Sequence, residues 1–182
     1  MSKGSLMKTL LSLFLFLMIS INSTYAIDEV QGFWKSVDDE TGRIQSIVAI
    51  YEYEGKYFGR IIATYGHNGE IADSIESPKT RAAGVQGNPF FSGMDIMWNL
   101  KKNGEKYTDG KILDPDHGRV YDAQMWPKNG NLIVRGQIFF FGRNQTWLPV
   151  AEHDFPRELK KPDLKELVPV IPKVNRVKSS KK

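Results

Sequence analysis

The residues best suited to acid–base or metal chemistry lie in one short stretch, DPDHG. Asp114, Asp116 and His117 there would supply two carboxylates and an imidazole, side chains that commonly bind divalent metals. The spacing does not match an EF-hand loop, because the later ligands and the bidentate Glu are missing. Pro115 and Gly118 instead favour the dihedral angles of a hairpin turn. We therefore predict a turn here and no metal site.

Motifs for covalent catalysis are missing from the sequence. Its 182 residues include no cysteine, no G-x-S-x-G motif and no glycine-rich phosphate loop. The three histidines, His67, His117 and His153, do not have the spacing of a zinc site. We therefore predict a protein that is not an enzyme and needs no cofactor. The alternative is an enzyme that acts on a lipid-like substrate beneath a long loop.

The first 26 residues have the order of a secretory signal peptide. Lys3 and Lys8 precede an apolar run from Leu10 to Ile21, and a polar stretch ends at Ala26. A membrane-spanning helix needs about 20 apolar residues, so this run is too short to anchor the chain. We predict cleavage near Ala26, a periplasmic or secreted mature protein, and no transmembrane segment after cleavage. An uncleaved anchor is the alternative.

Basic charge is concentrated at the C-terminal end of the chain. Residues 27–156 contain 14 Lys+Arg and 18 Asp+Glu, whereas residues 157–182 contain 9 basic and 3 acidic residues. We predict a signal peptide (1–26), one folded domain (27–156) and a basic tail (157–182) whose prolines favour an extended, flexible course. The domain has no basic face, so we predict no nucleic-acid binding. Contact of the tail with an anionic envelope surface is the functional alternative to a solvated tail.

The body of the chain consists of short β-rich runs divided by turn signals. Six of the connectors are as short as hairpin loops, which makes neighbouring strands antiparallel. Eight such strands form either a sandwich or an up-and-down barrel. The predicted strands are Gly32–Val37, Arg43–Glu54, Lys56–Gly66, Met94–Lys101, Glu105–Asp114, Arg119–Pro127, Asn131–Phe141 and Arg143–Val150.

One long segment, residues 67–93, interrupts the series of short connections. It exceeds the usual length of about two to six residues, and loops of this size are commonly functional. The second and third predicted strands are apolar on both faces, so an outer face needs a cover. We expect the segment either to gate the barrel mouth or to form that cover.

Three consecutive phenylalanines, Phe139 to Phe141, end the seventh predicted strand. Strand alternation directs at least one of the rings away from the interior. We expect burial of this ring beneath the long loop. A dimer contact or a membrane-edge contact is the alternative.

Several motifs occur in an order that resembles a bacterial family. Gly32 and Trp34 form the G-x-W arrangement that begins the first strand of lipocalins and related barrels, and YFGRI, GKILDPDHGRVY, LIVRG and GRNQTW follow. Together they resemble the exported, lipocalin-like family called domain of unknown function 2147, over about residues 32–150. With the strand count, the resemblance implies an all-β, eight-stranded antiparallel up-and-down lipocalin-like β-barrel. It also implies a small hydrophobic or amphipathic ligand, and no established reaction.

The candidate ligand contacts are aromatic, methionine or cationic side chains on the predicted strands. Such cavities have mostly apolar walls and few polar anchors. Arg60 and Arg135 are the candidate anchors for an acidic head group, although alternation equally allows both to face water. The predicted set is Tyr51, Tyr57, Arg60, Trp98, Tyr121, Met125 and Arg135.

A second set of residues is expected to close one end of the barrel. In related barrels an Arg from the last strand packs across the first-strand Trp, so Gly32, Trp34 and Arg143 are the predicted closure residues. Arg143→Ala is then expected to lower the melting temperature and leave ligand affinity near normal. The alternative is that Arg143 binds an anionic ligand.

The main rival to ligand carriage is an interaction module. In that hypothesis the barrel is filled by its own side chains, and the tail or an outer loop docks to an envelope component or another protein. The sequence leaves the ligand and the oligomeric state open.

Overall fold

The structure is a computed structural model that describes residues 29–139 and 141–174, apart from the side chain of Asp154. The predicted signal peptide and residues 175–182 therefore lie outside the described residues. Within the described residues, no helix is long and apolar enough to cross a membrane. Nine strands and two short 3₁₀ helices are present: β1 (Gly32–Val37), β2 (Ile44–Tyr53), β3 (Lys56–Tyr65), β4 (Ile71–Ser74), β5 (Asp95–Asn103), β6 (Lys106–Asp114), β7 (Arg119–Lys128), β8 (Asn131–Ile138), β9 (Phe141–Pro149), Glu152–Asp154 and Leu164–Glu166.

Eight of the nine strands close into an antiparallel barrel, as predicted. β1 pairs with β2 on one side and with β9 on the other, where Trp34 lies opposite Pro149. The ladder then runs through β8, β7, β6, β5 and β3, and β3 pairs with β2 to complete the circle. β4 is a short additional strand on β3, within the segment that was predicted as a loop.

One half of the barrel interior is filled by the protein's own side chains. Tyr57 and Tyr107 meet edge to face, with ring centroids 4.7 Å apart. Met125 and Leu132 are fully buried on the inner face of the neighbouring strands. The indole Nε1 of Trp34 donates a hydrogen bond of 2.9 Å to the carbonyl of Val30 at this end. This closed half is a hydrophobic core in which each large side chain contributes about 1.5–3 kcal/mol.

A second apolar cluster lies on the outer surface of β1, β2 and β3. Phe33 and Ile47 belong to it, and Leu159 covers them from the C-terminal segment, which we define as residues 151–174. Phe155 also contributes, because its ring meets that of Phe33 edge to face at 5.1 Å. The apolar outer face noted in the sequence is therefore covered mainly by the C-terminal segment.

The C-terminal segment is attached to the barrel along its length. The backbone N–H of Lys160 donates to the Glu76 carboxylate at 2.9 Å, and the N–H of Gln86 donates to the Lys173 carbonyl at 2.8 Å. The prediction of a flexible tail does not hold for residues 157–174. Its prolines do favour an extended course, but the apolar face that receives the segment is formed by distant strands.

Candidate functional site

The other half of the barrel interior is a cavity of about 890 Å³. This volume lies in the range of small-molecule sites. Apolar side chains in its walls include Ile61, Ile96, Ile112, Val134 and Trp147, and polar atoms make up nearly as much of the lining. The cavity opens at the end of the barrel where β1, β3 and β6 end and β9 begins; we call this opening the mouth. The rival hypothesis, in which the protein's own side chains fill the barrel, therefore holds only for the closed half.

A row of small polar side chains lies among these apolar walls. Ser36, Ser46 and Thr64 face one another across β1, β2 and β3, and the hydroxyl oxygens of the two serines are 2.6 Å apart. On β9, the strand next to β1, the indole Nε1 of Trp147 donates to Oε1 of Gln145 at 3.3 Å. The amide nitrogen of Gln145 keeps its capacity to donate to a ligand. The cavity thus combines apolar side chains with a comparable share of hydrogen-bonding groups.

Two arginines lie at the mouth. Arg43 Nη1 donates to Nδ1 of His67 at 3.2 Å, and its Nε donates to the Thr41 hydroxyl at 3.4 Å. A guanidinium has no acceptor, so Nδ1 of His67 accepts and the imidazole proton lies on Nε2. Arg143 Nε donates to the Asp39 carboxylate at 3.0 Å, and the Arg143 side chain is 62% exposed. Both cations are therefore accessible from the cavity.

Two of the three carboxylates that line the mouth, those of Asp38 and Asp114, are engaged within their own turns, and the third, that of Asp116, is exposed. Asp38 accepts hydrogen bonds of 2.7 Å from the backbone N–H and the hydroxyl of Thr41, and the hydroxyl contact is the main reason that the pKa of Asp38 is lowered. Asp114 accepts from two backbone N–H groups of the DPDHG turn, and Nδ1 of His117 lies 2.9 Å away. That stretch forms a turn, as predicted. The described residues contain no cluster of three or more potential metal ligands.

The long segment 67–93 forms part of the mouth wall. The buried carboxylate of Asp73 accepts hydrogen bonds from two of its backbone N–H groups, including that of Thr80 at 2.6 Å. Thr80 and Phe91 line the cavity. Gly84 crosses directly over Gly118 in the β6–β7 turn, and a Cβ on either glycine would clash with the backbone of the other. The segment also contributes to the outer apolar cluster through Ile71 and Ile75, so it forms part of the expected cover, whereas gating of the mouth stays a prediction.

A buried ion pair lies on the outer face of the barrel, opposite the cavity. Arg60 on β3 binds Asp95 on β5 with two hydrogen bonds of 3.1 Å, and the Tyr51 hydroxyl donates to the same carboxylate at 2.9 Å. The C-terminal segment completes the group, because Arg60 donates to the Val168 carbonyl and the Val170 N–H donates to Asp95. We call these five residues the clasp. Burial raises the pKa of the Tyr51 hydroxyl, and the Asp95 charge raises it further.

The inner face of the barrel carries three of the predicted ligand contacts. Tyr121 lines the cavity, next to Ile112 across the β6–β7 ladder. Tyr57 and Met125 also point inward but belong to the closed half, where they are buried against other side chains. Tyr121 therefore stays a predicted ligand contact. Tyr57 and Met125 lie too far along their strands from the mouth to line the cavity.

The remaining four predicted contacts lie outside the cavity. Tyr51 and Arg60 belong to the clasp, so Arg60 has a protein partner and not a ligand. Trp98 lies opposite Lys111, whose ammonium group is on the outer surface. Arg135 also faces outward, where its guanidinium donates to Asn144. The sequence allowed either face for Arg60 and Arg135, and the structure places both on the outer one. Tyr51 and Trp98 were predicted as walls of the cavity, and that prediction is wrong because they too lie on the outer face.

The predicted contact between Trp34 and Arg143 is wrong. Trp34 lies opposite Pro149, six residues beyond Arg143 on β9, and six strand residues span about 20 Å. β1 and β9 are antiparallel, so the start of β9 and the start of β1 lie at opposite ends of the barrel. Gly32 does begin β1 beside Trp34, as expected. Arg143 instead belongs to the mouth.

Several cavity residues were not anticipated from the sequence. Ser36 follows the inward Trp34 by two positions, and Gln145 precedes Trp147 by two, so strand alternation would have placed both of them inside. Arg43 and His67 carried no such signal. Each lies at the edge of a strand, and only the closed barrel brings them together at the mouth.

Comparison with solved structures agrees with this architecture. A protein from Helicobacter pylori, HP1028, described as belonging to the lipocalin family, has a TM-score of 0.58 at 16% sequence identity. The match covers 74% of this chain and 92% of that one. At this identity the similarity shows the fold alone. No curated protein matches the chain.

A family profile matches the part of the sequence that forms the barrel. The match spans residues 32–148, from the beginning of β1 almost to the end of β9, and the family is described as an uncharacterized protein conserved in bacteria, DUF2147. It therefore covers all eight barrel strands and the walls of the cavity. This agrees with the resemblance found in the sequence motifs: the chain belongs to the DUF2147 family.

Proposed function

We propose that this protein is exported and binds a small amphipathic molecule in the cavity, with the apolar part toward Trp147 and an acidic head group at the mouth. The observation that carries the proposal is the cavity itself, about 890 Å³ with apolar walls and arginine N–H groups at its opening. A ligand with an apolar chain and a polar end satisfies both regions at once.

The apolar walls provide the larger share of the binding free energy. Each CH₂ group moved from water to an apolar environment contributes about 0.8 kcal/mol, so about ten groups supply about 8 kcal/mol. That corresponds to a micromolar Kd before the costs of association are subtracted. We therefore expect a single-chain amphiphile to bind with a Kd in the micromolar range or weaker.

The charges at the mouth favour an anionic head group. Asp38 and Asp114 are already satisfied by hydrogen bonds within their turns. Arg43, in contrast, donates only to the neutral groups of Thr41 and His67. A carboxylate would gain charge-assisted hydrogen bonds from Arg43, whereas the one carboxylate at the mouth that accepts no hydrogen bond from the described residues, that of Asp116, is exposed to solvent on its turn.

A fluorescent fatty acid tests the location of binding. We expect dansyl-labelled undecanoic acid to show enhanced emission with the wild-type protein, and Gly136→Phe to abolish it, because a side chain at Gly136 extends into the cavity beside Ile112. Ile133→Phe adds a ring to the outer face of the same strand and should leave the affinity unchanged. Equal affinity of both variants, with both folded by circular dichroism, would remove the cavity as the site.

A pair of probes with opposite head-group charge tests the role of the mouth. Arg43→Gln should weaken binding of the dansyl-labelled acid about tenfold or more, since hydrogen bonds to charged groups contribute about 1.5–3 kcal/mol. Binding of the matching dansyl-labelled amine should change little. Loss of both probes to the same extent would contradict an anionic preference.

The proposal has two further parts: the protein is exported, and it binds its ligand without converting it into a product. Export is inferred from residues 1–26, which lie outside the described residues. Cell fractionation and the intact mass of the recovered protein test it, with a mature chain that begins at Ile27 as the expected result. Recovery of the bound probe unchanged after prolonged incubation tests binding without chemistry, and a modified probe would favour the enzyme alternative.

A further inference from the structure

The turn between β8 and β9 presents aromatic side chains to solvent at the rim of the mouth. Phe139 is 83% exposed and Phe141 is 85% exposed; we call this pair the aromatic tip. Phe140, between them, lies outside the described residues. The expectation that the phenylalanines are buried beneath the long loop does not hold for these two. Large exposed aromatic side chains on a soluble domain commonly mark an interaction site.

The backbone at the aromatic tip departs from the usual rules for turns. Phe139 has a φ of +52°, in the left-handed region where glycine and asparagine are favoured and bulky residues are rare. At the corresponding position of the other two-residue turns, Asn129 follows the rule, whereas Glu54, with a φ of +51°, departs from it but is a polar residue and not an apolar ring. Phenylalanine at this position costs stability and gains no burial in return. Such local conflicts occur most often where function requires the side chain.

Three arginines surround the aromatic tip. Arg143 follows it on β9 and is paired with Asp39. Arg135 lies behind it over Gly142, and its hydrogen-bond partners, Gln137 and Asn144, are neutral. Arg119 begins β7, and the pairing register of β7 with β8 makes it level with the turn. Within the described residues, Arg119 and Arg135 form no ion pair, whereas Arg143 also lies 4.0 Å from the Glu40 carboxylate, so two of the three positive charges beside the tip have no carboxylate partner.

We propose that the aromatic tip inserts into the interfacial region of an anionic lipid bilayer. Aromatic rings that enter the boundary between head groups and acyl chains, with cations behind them, are the usual elements of reversible attachment to a membrane surface. The protein thereby places the mouth of its cavity against the bilayer.

The size and shape of the aromatic tip favour a bilayer over a protein partner. Each aromatic side chain buries about 150–250 Å², so the two rings offer at most about 500 Å². A stable protein interface buries about 800 Å² on each partner. The tip also lies at the end of a hairpin, where β8 passes into β9 at the rim of the barrel. A fluid interface accepts such a shape without a complementary surface.

This inference is independent of the proposed function, because attachment requires the tip and ligand binding requires the cavity. Attachment would give the cavity direct access to amphipathic molecules in the bilayer. Failure of either claim leaves the other standing, and the two are measured separately. The blocked variant Gly136→Phe should still attach to vesicles, and a variant of the tip should still bind the dansyl-labelled acid in solution.

A vesicle sedimentation experiment tests attachment. The protein is taken from the exported fraction, with its amino terminus verified by mass, and mixed with vesicles of phosphatidylcholine with or without phosphatidylglycerol. We expect co-sedimentation with the anionic vesicles that weakens as salt is raised. The double variant Phe139→Asn/Phe141→Thr should reduce the partition coefficient about a hundredfold, or about tenfold for each ring, the factor that about 1.4 kcal/mol represents.

The choice of substitutions separates loss of attachment from loss of folding. Asparagine suits the positive φ at position 139 and threonine suits a strand, so the variant should melt no lower than the wild type. Val168→Ser/Val170→Ser removes two exposed apolar side chains on the side of the barrel and should leave sedimentation unchanged. An equal effect of both double variants would overturn the proposal, because it would reflect general hydrophobicity.

A site-specific label tests the orientation at the bilayer. The sequence contains no cysteine, so Phe141→Cys can carry a single environment-sensitive NBD fluorophore. With anionic vesicles its emission should shift to the blue and be quenched by brominated lipids, whereas the same label at Glu105→Cys, on a turn at the closed end, should not respond. Wild-type protein that dimerises through the tip by analytical ultracentrifugation and ignores vesicles would show a protein contact instead.

Discussion

The clasp and the mouth both contain an arginine near a carboxylate, yet their surroundings differ in every respect. Asp95 in the clasp is completely buried, and Arg60, Tyr51 and the backbone of Val170 all donate to it. At the mouth, Arg143 is mostly exposed and meets Asp39 through one short contact. A buried charge needs all of its partners supplied by the protein, whereas an exposed one exchanges partners at little cost. The first arrangement serves stability, and the second leaves a cation available to a ligand.

Among the variants that test this comparison, replacement of Arg60 is expected to lower the free energy of unfolding most. Arg60→Ala leaves the Asp95 carboxylate buried without its counter-ion, and breaking a buried pair in this way costs about 3–5 kcal/mol. Urea denaturation should show this loss, whereas Arg135→Ala, on the exposed outer surface, should cost less than about 1 kcal/mol. Equal losses in the two variants would mean that the clasp has no special role in stability.

The second-largest loss of stability is expected from truncating a side chain of the C-terminal segment where it covers the outer face. Leu159→Ala should lower the free energy of unfolding by about 2–3 kcal/mol, because a buried leucine is removed from the cluster around Phe33 and Ile47. Ile171→Ala, which truncates a more exposed side chain of the same segment, is the control and should change stability by less than about 1 kcal/mol. If the two denaturation midpoints shift equally, the segment is not held by its apolar contacts.

The clasp also predicts a loss of stability in alkali. Burial and Asp95 raise the pKa of Tyr51 above its ordinary value of about 10, so the folded protein retains a proton that the unfolded chain releases. This stabilisation is fully present below pH 10 and is lost as pH rises through the folded-state pKa, by up to about 1.4 kcal/mol per pH unit.

Tyr51→Phe should flatten this alkaline slope in the free energy of unfolding, measured by urea denaturation above pH 10. Adding Tyr65→Phe should flatten it further, because burial raises the pKa of Tyr65 as well. An unchanged slope in both variants would show that other groups control alkaline unfolding.

The smallest expected change in stability is at the mouth. Arg143→Ala should cost less than about 1 kcal/mol, because its ion pair is exposed, and it should weaken binding of the dansyl-labelled acid. This reverses the expectation from the sequence, where Arg143 was assigned to closure beside Trp34. A large fall in melting temperature with normal affinity would restore that closure role.

The barrel itself could be predicted because its signals are local. Period-two alternation marks the strands, and sequences such as Glu54-Gly55 and Asn129-Gly130 supply the positive φ that tight turns require. Antiparallel order then follows from the short connectors. The two arrangements left open by the strand count, sandwich and barrel, are distinguished only by the pairing of β1 with β9.

The sequence was a poorer guide to which side chains face into the barrel and which face outward, because this depends on irregularities in the pairing of the strands. A bulge interrupts β2 after Ile47, others flank Gly59 on β3, and Asn99 has a φ of +60° on β5. Each irregularity shifts the alternation of the residues that follow, which explains why Trp98 was misplaced. The partner of Arg60 could not be found locally either, since Asp95 is 35 residues away.

The separation of the clasp residues along the chain has a consequence for biosynthesis. Val168 follows Arg60 by 108 residues, and Val170 follows Asp95 by 75. All barrel strands are therefore made before the ribosome reaches the segment that completes the clasp. Until then, water must solvate the charges of Arg60 and Asp95, so the outer wall matures only after residues 168–170 have been made.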